Sequence, residues 1–202
     1  MSLDQIIRAV QAKLGLTIDG KPGPQTWDAI HKAILGSPPP PLSTTLPQGA
    51  VDPRSEACIA TLHDRVKPYA RALVTRAAAA GIVIKIISAL RTFDAQNALY
   101  AQGRSKPGSK VTNAPGGYSN HNFGLAFDIG VFDGTKYIPE SPRYKAVAAI
   151  GLDLGLEWGG SWKTIKDEPH YQLRPSWAAS MSESVMLAEL RRRKSTVRDF
   201  FA

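Results

Sequence analysis

The chain has 202 residues, a formal net charge of +8 and a pI of about 9.7, with 43% hydrophobic and 21% charged residues. That profile excludes a disordered or fibrous chain, and no apolar run approaches the ~20 residues of a membrane-spanning helix. A single cysteine, Cys58, excludes an internal disulfide framework and a thiolate metal cluster, so any metal must be held by His, Asp or Glu. The surplus positive charge implies an anionic partner or environment, for which nucleic acid and an anionic cell-wall polymer are both candidates.

The N-terminus has an acidic residue early, Asp4, and no apolar core of a secretory signal. Leu3, Ile6, Ile7, Val10 and Leu14 recur at helical spacing and Gly15 closes the run. A Gly/Pro turn at 19–24 leads to a second helix through Trp27, Ile30, Ile34 and Leu35, completing a small module over 1–36. Residues 37–53 contain Pro38 to Pro41 and Pro47 and read as a semi-rigid linker.

A larger domain over 54–180 follows. Ile59, Leu62, Val66, Tyr69 and Leu73 predict a helical face, with Pro68 as a kink or restart and Gly81 as the stop. Ile82 to Ser88 predicts a buried strand, and Asp94 to Gln102 a helix capped by Thr92 or Asp94 and ended by Gly103. Leu125 to Val131 predicts a second strand, Ser141-Pro142 the start of a helix closed by Gly151, and His170 to Arg174 a short strand. The segment 181–202 predicts a basic helical tail with cations that suit a helix C-terminus or contact an anionic surface. Helices and strands without regular βαβ alternation define an α+β fold.

Chemistry concentrates in two stretches. His121 and Asp128 stand seven apart in Ser-Asn-His-Asn-Phe-Gly-Leu-Ala-Phe-Asp, with Gly124 relieving crowding between them. Alone, Asp128 reads sooner as half of a structural ion pair than as a ligand, because a buried unpaired carboxylate is costly. Asp167-Glu168-Pro169-His170 adds a second imidazole and two acids. Two imidazoles and a carboxylate make up the three protein ligands of a catalytic zinc site, and a spare carboxylate beside them suits a general base.

Two resemblances are carried by these residues. Val10-Gln11-x-x-Leu14-Gly15 with Asp19-Gly20-x-x-Gly23-Pro24-x-Thr26-x-x-Ala29-Ile30 resembles a peptidoglycan-binding domain. Ser119, His121, Gly124, Ala126 and Asp128, followed by Asp167-x-Pro169-His170, resemble the LAS-type zinc peptidases, a group that includes D-Ala-D-Ala carboxypeptidases and L-alanyl-D-glutamate endopeptidases. Arg91-Thr92-x-x-x-Gln96-x-x-x-Tyr100-x-x-Gly103-Arg104 looks like that group's arginine segment.

The resemblance implies a small antiparallel sheet with flanking helices, as in hedgehog and D-Ala-D-Ala peptidase folds. It implies Zn2+ on His121, Asp128 and His170, Asp167 as base with Glu168 as the alternative, and Arg91 as the oxyanion partner. Ser88, Gln96, Ser119 and Trp158 are the expected substrate-side residues, the tryptophans of 158–162 being equally readable as core. The implied activity is cleavage of the L-Ala-D-Glu bond of peptidoglycan by a monomeric, endolysin-like enzyme released through a holin. A D-Ala-D-Ala carboxypeptidase and a non-catalytic zinc-bearing wall-binding protein are the alternatives. Nucleic-acid binding is not expected, since no helix presents a clustered basic reading face.

Overall fold

The computed structural model describes residues 2–21, 26, 29–30, 33, 51–163 and 165–202. The chain divides into two compact units, Met1–Thr45 and Leu46–Ala202. Of the linker expected over 37–53, residues 37–50 lie outside the described residues, as do the expected helical positions Trp27, Ile34 and Leu35; Pro53 already belongs to the first helix of the second unit.

In the first unit, helix α1 (Leu3–Lys13) starts with a capping box: Ser2 Oγ accepts from Gln5 N–H and Gln5 Oε1 accepts from Ser2 N–H. Gly15, at φ +68°, ends the helix as its sequence predicts. Gln11 is buried and its amide is fully used. Nε2 donates to Asp19 Oδ1 (2.7 Å), Lys21 O (3.0 Å) and Thr26 Oγ1 (3.1 Å), while Oε1 accepts from Gly20 N–H (2.9 Å). Gly20 adopts φ +74°, and a Cβ there would lie 2.3 Å from the Asp4 carboxylate. Thr26, Ala29, Ile30 and Ala33 have helical backbone.

The second unit opens with α2 (Pro53–Ala60), capped by Asp52, and α3 (Lys67–Ala79). The apolar face predicted over 59–73 is therefore shared by two helices, because Pro68 at the start of α3 acts as a restart. Strands β1 (Ile84–Ser88), β2 (Ala126–Asp133), β3 (Lys136–Ile138), β4 (Glu157–Trp158) and β5 (His170–Gln172) form one antiparallel sheet in the order β1-β2-β5-β4, with β3 on β2. Between β1 and β2 lie α4 (Phe93–Ala101), capped by Thr92, and a 3₁₀ turn at Asn120–Phe123. The short strands β3 and β4 carry no apolar alternation long enough to announce them.

Alternation along the strands separates chemistry from packing. Phe127, Ile129 and Val131 of β2, Ile84 and Ile86 of β1 and Tyr171 of β5 enter a core shared with Ile59 of α2 and Leu73 of α3. Asp128, His170 and Gln172 point to the other face. Helix α5 (Arg143–Asp153) packs on α3 and β4 and runs through Gly151, which was expected to close it. Gly151 is instead needed inside the helix, since a Cβ there would lie 2.5 Å from the Tyr171 ring.

Helix α6 (Glu183–Ser195) corrects the expected boundary at residue 180. Met186, Leu187 and Leu190 are buried in the core, so 181–202 belongs to the same unit rather than standing apart as a tail. Its cations are largely occupied. Arg191 donates to Gly117 O and lies over the Tyr118 ring, Arg192 and Arg193 both bond Glu189, and Arg193 also covers the Trp177 ring.

Candidate metal centre

Asp128 is the cross-strand partner of Ser88 on one side and of His170 on the other, so sheet pairing alone sets three polar side chains in a row. A bulge between Ile86 and Ser88 brings Ser88 into that register. His121 arrives from the 3₁₀ turn above the sheet. Gly124 ends the turn at φ +68°, and a Cβ there would lie 2.8 Å from His63 N, so its glycine is required by both conformation and space.

His121 Nε2, His170 Nδ1 and Asp128 Oδ1 form a triangle with all three edges 3.2 Å. A tetrahedral ion with bonds of about 2.0 Å spaces its donors about 3.3 Å apart. The triangle therefore matches one face of such a coordination sphere, and the donor set could hold a metal ion. Both imidazoles are buried. His121 Nδ1 donates to the Ala89 carbonyl (2.7 Å), which leaves Nε2 as the free lone pair of the ring.

The electrostatics suit a cation. Burial opposes ionisation of Asp128, yet its contacts with His121 and His170 outweigh that cost and hold the carboxyl well below the usual range. Burial pulls His170 down, but the Asp128 carboxylate, together with Gln172 and Asp167, raises it overall.

A cleft of about 1300 Å³ opens over the triangle, lined by Arg91, Ser119, Trp162, Asp167 and Gln172 among others. Asp167 faces this cleft because the chain turns back at Pro169: His170 N–H donates to Asp167 O, and Asp167 N–H donates to Gly159 O. That turn presses on Gly159, where a Cβ would lie 2.6 Å from Asp167 O and 2.9 Å from His170 Cβ. The Asp167 carboxyl is pushed up by burial and then by the charge of Asp128. Glu168 is not among the residues lining the cleft; its carbonyl accepts from Trp158 Nε1.

Arg91 directs its guanidinium at the site, 3.7 Å from Asp128 Oδ2. Ser88 Oγ (3.0 Å) and Gln96 Oε1 (2.8 Å) hold it there, and neither Ser88 nor Gln96 lines the cleft. Gln96 is wholly buried, and its Nε2 donates to Ala114 O at the cleft rim. Of the four residues expected to touch substrate, only Ser119 lines the cleft. Trp158 packs against the core, and Trp162 takes its place on the cleft wall, its ring 4.9 Å from that of His170. The sequence did not single out Asn120, Glu157 or Gln172, which are hydrogen-bonded to one another beside His170 and reach the cleft wall; the signal for Gln172 was its position two residues beyond His170, on the same face of one strand.

Two imidazoles and a carboxylate at tetrahedral spacing, with a spare acid and a guanidinium facing one cleft, define a metallohydrolase centre. A family model of the M15 peptidases, described as D-alanyl-D-alanine carboxypeptidase, matches residues 112–173. The peptidoglycan L-alanyl-D-glutamate endopeptidase CwlK of Bacillus subtilis (strain 168) is 40% identical over 127 residues, covering 57% of this chain and 75% of that protein. The L-alanyl-D-glutamate peptidase of Listeria phage A118 is 31% identical over 122 residues, covering 59% of this chain and 40% of the phage protein. Among solved structures, the Serratia marcescens L-Ala D-Glu endopeptidase ChiX aligns with TM-score 0.44 and 25% identity, covering 60% of this chain and 87% of that one. The chain belongs to the M15 family of metallopeptidases.

Proposed function

We propose that this protein is a zinc-dependent peptidoglycan hydrolase that cuts the L-Ala-D-Glu bond of the stem peptide. One observation carries the reading: the tetrahedral triangle of His121, Asp128 and His170 shares a cleft with Asp167 and Arg91, in a chain 40% identical to an L-alanyl-D-glutamate endopeptidase over 127 residues. When bound, zinc contributes a Lewis acid that acidifies water to a pKa of ~7 and polarises a carbonyl.

The chain's own groups perform the remaining tasks. Asp167, raised by burial and by Asp128, accepts a proton from the attacking water and returns it to the leaving amine. Arg91, oriented by Ser88 and Gln96, faces the developing oxyanion, a contribution of order 3–4 kcal/mol for a well-placed donor. Trp162 and Ser119 border the peptide's path.

The N-terminal unit is assigned to holding the enzyme on the wall, where it acts as a monomer, and an endolysin role with holin release fits that placement. D-Ala-D-Ala carboxypeptidase activity is the second reading, favoured by the description of the matching family model. Digestion of purified peptidoglycan with and without chelator tests both. New L-alanine C-termini and D-glutamate N-termini, lost on chelation, are expected; release of free D-alanine instead selects the second reading, and no cleavage at all rejects both.

A further inference from the structure

Behind the metal triangle lies a chain of hydrogen bonds whose polarity is fixed from its far end. Arg174 can only donate, and it bonds the Glu157 carboxylate through Nε and Nη2. Glu157 can only accept, so its Oε2 must receive the amide Nε2 of Gln172 (2.6 Å). That orientation turns Gln172 Oε1 towards His170 Nε2 (3.0 Å) and Asn120 Nδ2 (2.7 Å). An amide oxygen cannot donate, so His170 must carry its proton on Nε2. The ring's other nitrogen, Nδ1, is the one at the triangle.

We propose that Gln172 is a positioning residue for the metal centre: it locks His170 in the Nε2–H tautomer and so presents Nδ1 as a ligand. The inference rests on the reading that His170 holds the metal. Glu157 strengthens the lock, because a carboxylate bonded to the amide N–H polarises the amide and makes its oxygen a better acceptor. Gln172 is 2% exposed, so water does not compete for that oxygen. The backbone supports the same geometry, since Glu157 and Gln172 are cross-strand partners on β4 and β5.

The brace extends from β5 to the 3₁₀ turn and to α6. Asn120, next to His121 in sequence, donates to Gln172 Oε1 and to the Glu183 carboxylate of α6, and Glu183 bonds Arg174 (2.7 Å). His170 is thus backed by one closed network drawn from β4, β5, the 3₁₀ turn and α6, whereas the outer nitrogen of His121 is held separately by the Ala89 carbonyl.

Removal of an outer hydrogen-bond partner of a ligating histidine typically costs 10–100-fold in metal affinity. The test is zinc affinity by competition with a fluorescent chelator, which needs no substrate and no turnover. Gln172→Leu, similar in size but unable to accept, is expected to bind zinc 10–100-fold more weakly than the unaltered protein. Its ¹⁵N imidazole signals in the metal-free protein should show His170 losing its single tautomer. Glu157→Gln keeps an acceptor for Gln172 but removes the charge, and is expected to weaken zinc by a smaller factor. It decides the matter if Gln172→Leu does not fold. Zinc affinity within twofold of the unaltered protein in the folded variants overturns the proposal. An unaltered protein that binds no zinc overturns the metal assignment beneath it, and one that binds zinc normally but cuts no peptidoglycan rejects the substrate reading while leaving the role of Gln172 intact.

Discussion

At the scale of single residues, Asp167 and Glu168 differ by direction rather than by chemistry. The turn at Pro169 faces Asp167 into the cleft, while the backbone of Glu168 is tied to Trp158. Asp167→Ala should lower kcat by about 10²–10⁴-fold with zinc content unchanged, and Glu168→Ala should leave kcat near that of the unaltered enzyme. Steady-state kinetics on soluble stem peptides, with metal analysis of the same samples, check both; the reverse order would transfer the base to Glu168. Gly159 makes a sharper test of geometry. Alanine there must displace either the Asp167 carbonyl or His170 Cβ, and misplacement of a catalytic group by about 1 Å costs on the order of 10²-fold. Gly159→Ala should therefore lose kcat by that order while retaining its circular dichroism, and an active Gly159→Ala enzyme would show that the turn yields freely.

At the scale of elements, what the sequence disclosed depended on how locally each signal was encoded. The Gly15 stop of α1, the Thr92 cap, the strand over Leu125 to Val131 and the His121–Asp128 spacing are local, and each has its structural counterpart. Gly151 was misread because its reason is an aromatic ring from a strand twenty residues away. Ser88 and Gln96 stand close to Arg91 in sequence and were read as facing substrate, whereas they hold the arginine itself. Trp158 and Trp162 are indistinguishable in composition, and only the path of the chain places one in the core and the other on the cleft.

Helix α6 shows how a charge run can be consumed internally. Its Glu189 carboxyl is drawn down to about 2 by hydrogen bonds from Arg192 and Arg193. A folded pKa below the unfolded value gives a contribution present above about 4.5 and lost as pH falls towards 2. Because the carboxyl is solvent-accessible the effect is small. Glu189→Gln should lower the melting temperature slightly at pH 7 and not at pH 2, as thermal denaturation at the two pH values would record; an equal drop at both would assign the effect to packing.

At the scale of the whole molecule, the two units make separable predictions. Chelation should abolish cleavage and lower the melting temperature of the second unit, since a ligand at a thousandfold excess over its Kd stabilises by about 4 kcal/mol. Calorimetry before and after chelator, followed by zinc return, measures this; an unchanged transition would mean the triangle is empty in solution. Deleting residues 1–36 should leave kcat/KM on a soluble stem peptide unchanged and slow the clearing of intact sacculi. Equal loss on both substrates would give the first unit a part in catalysis.

The buried amide of Gln11 gives that last experiment its proper design. Gln11, Asp19, Gly20 and Thr26 spend their hydrogen bonds on one another. The very letters that make the module resemble a wall-binding domain are thus its internal mortar. A substitution at Gln11 would therefore report whether the module stands, and a test of the proposed wall binding needs substitutions at exposed side chains outside this hydrogen-bonded set.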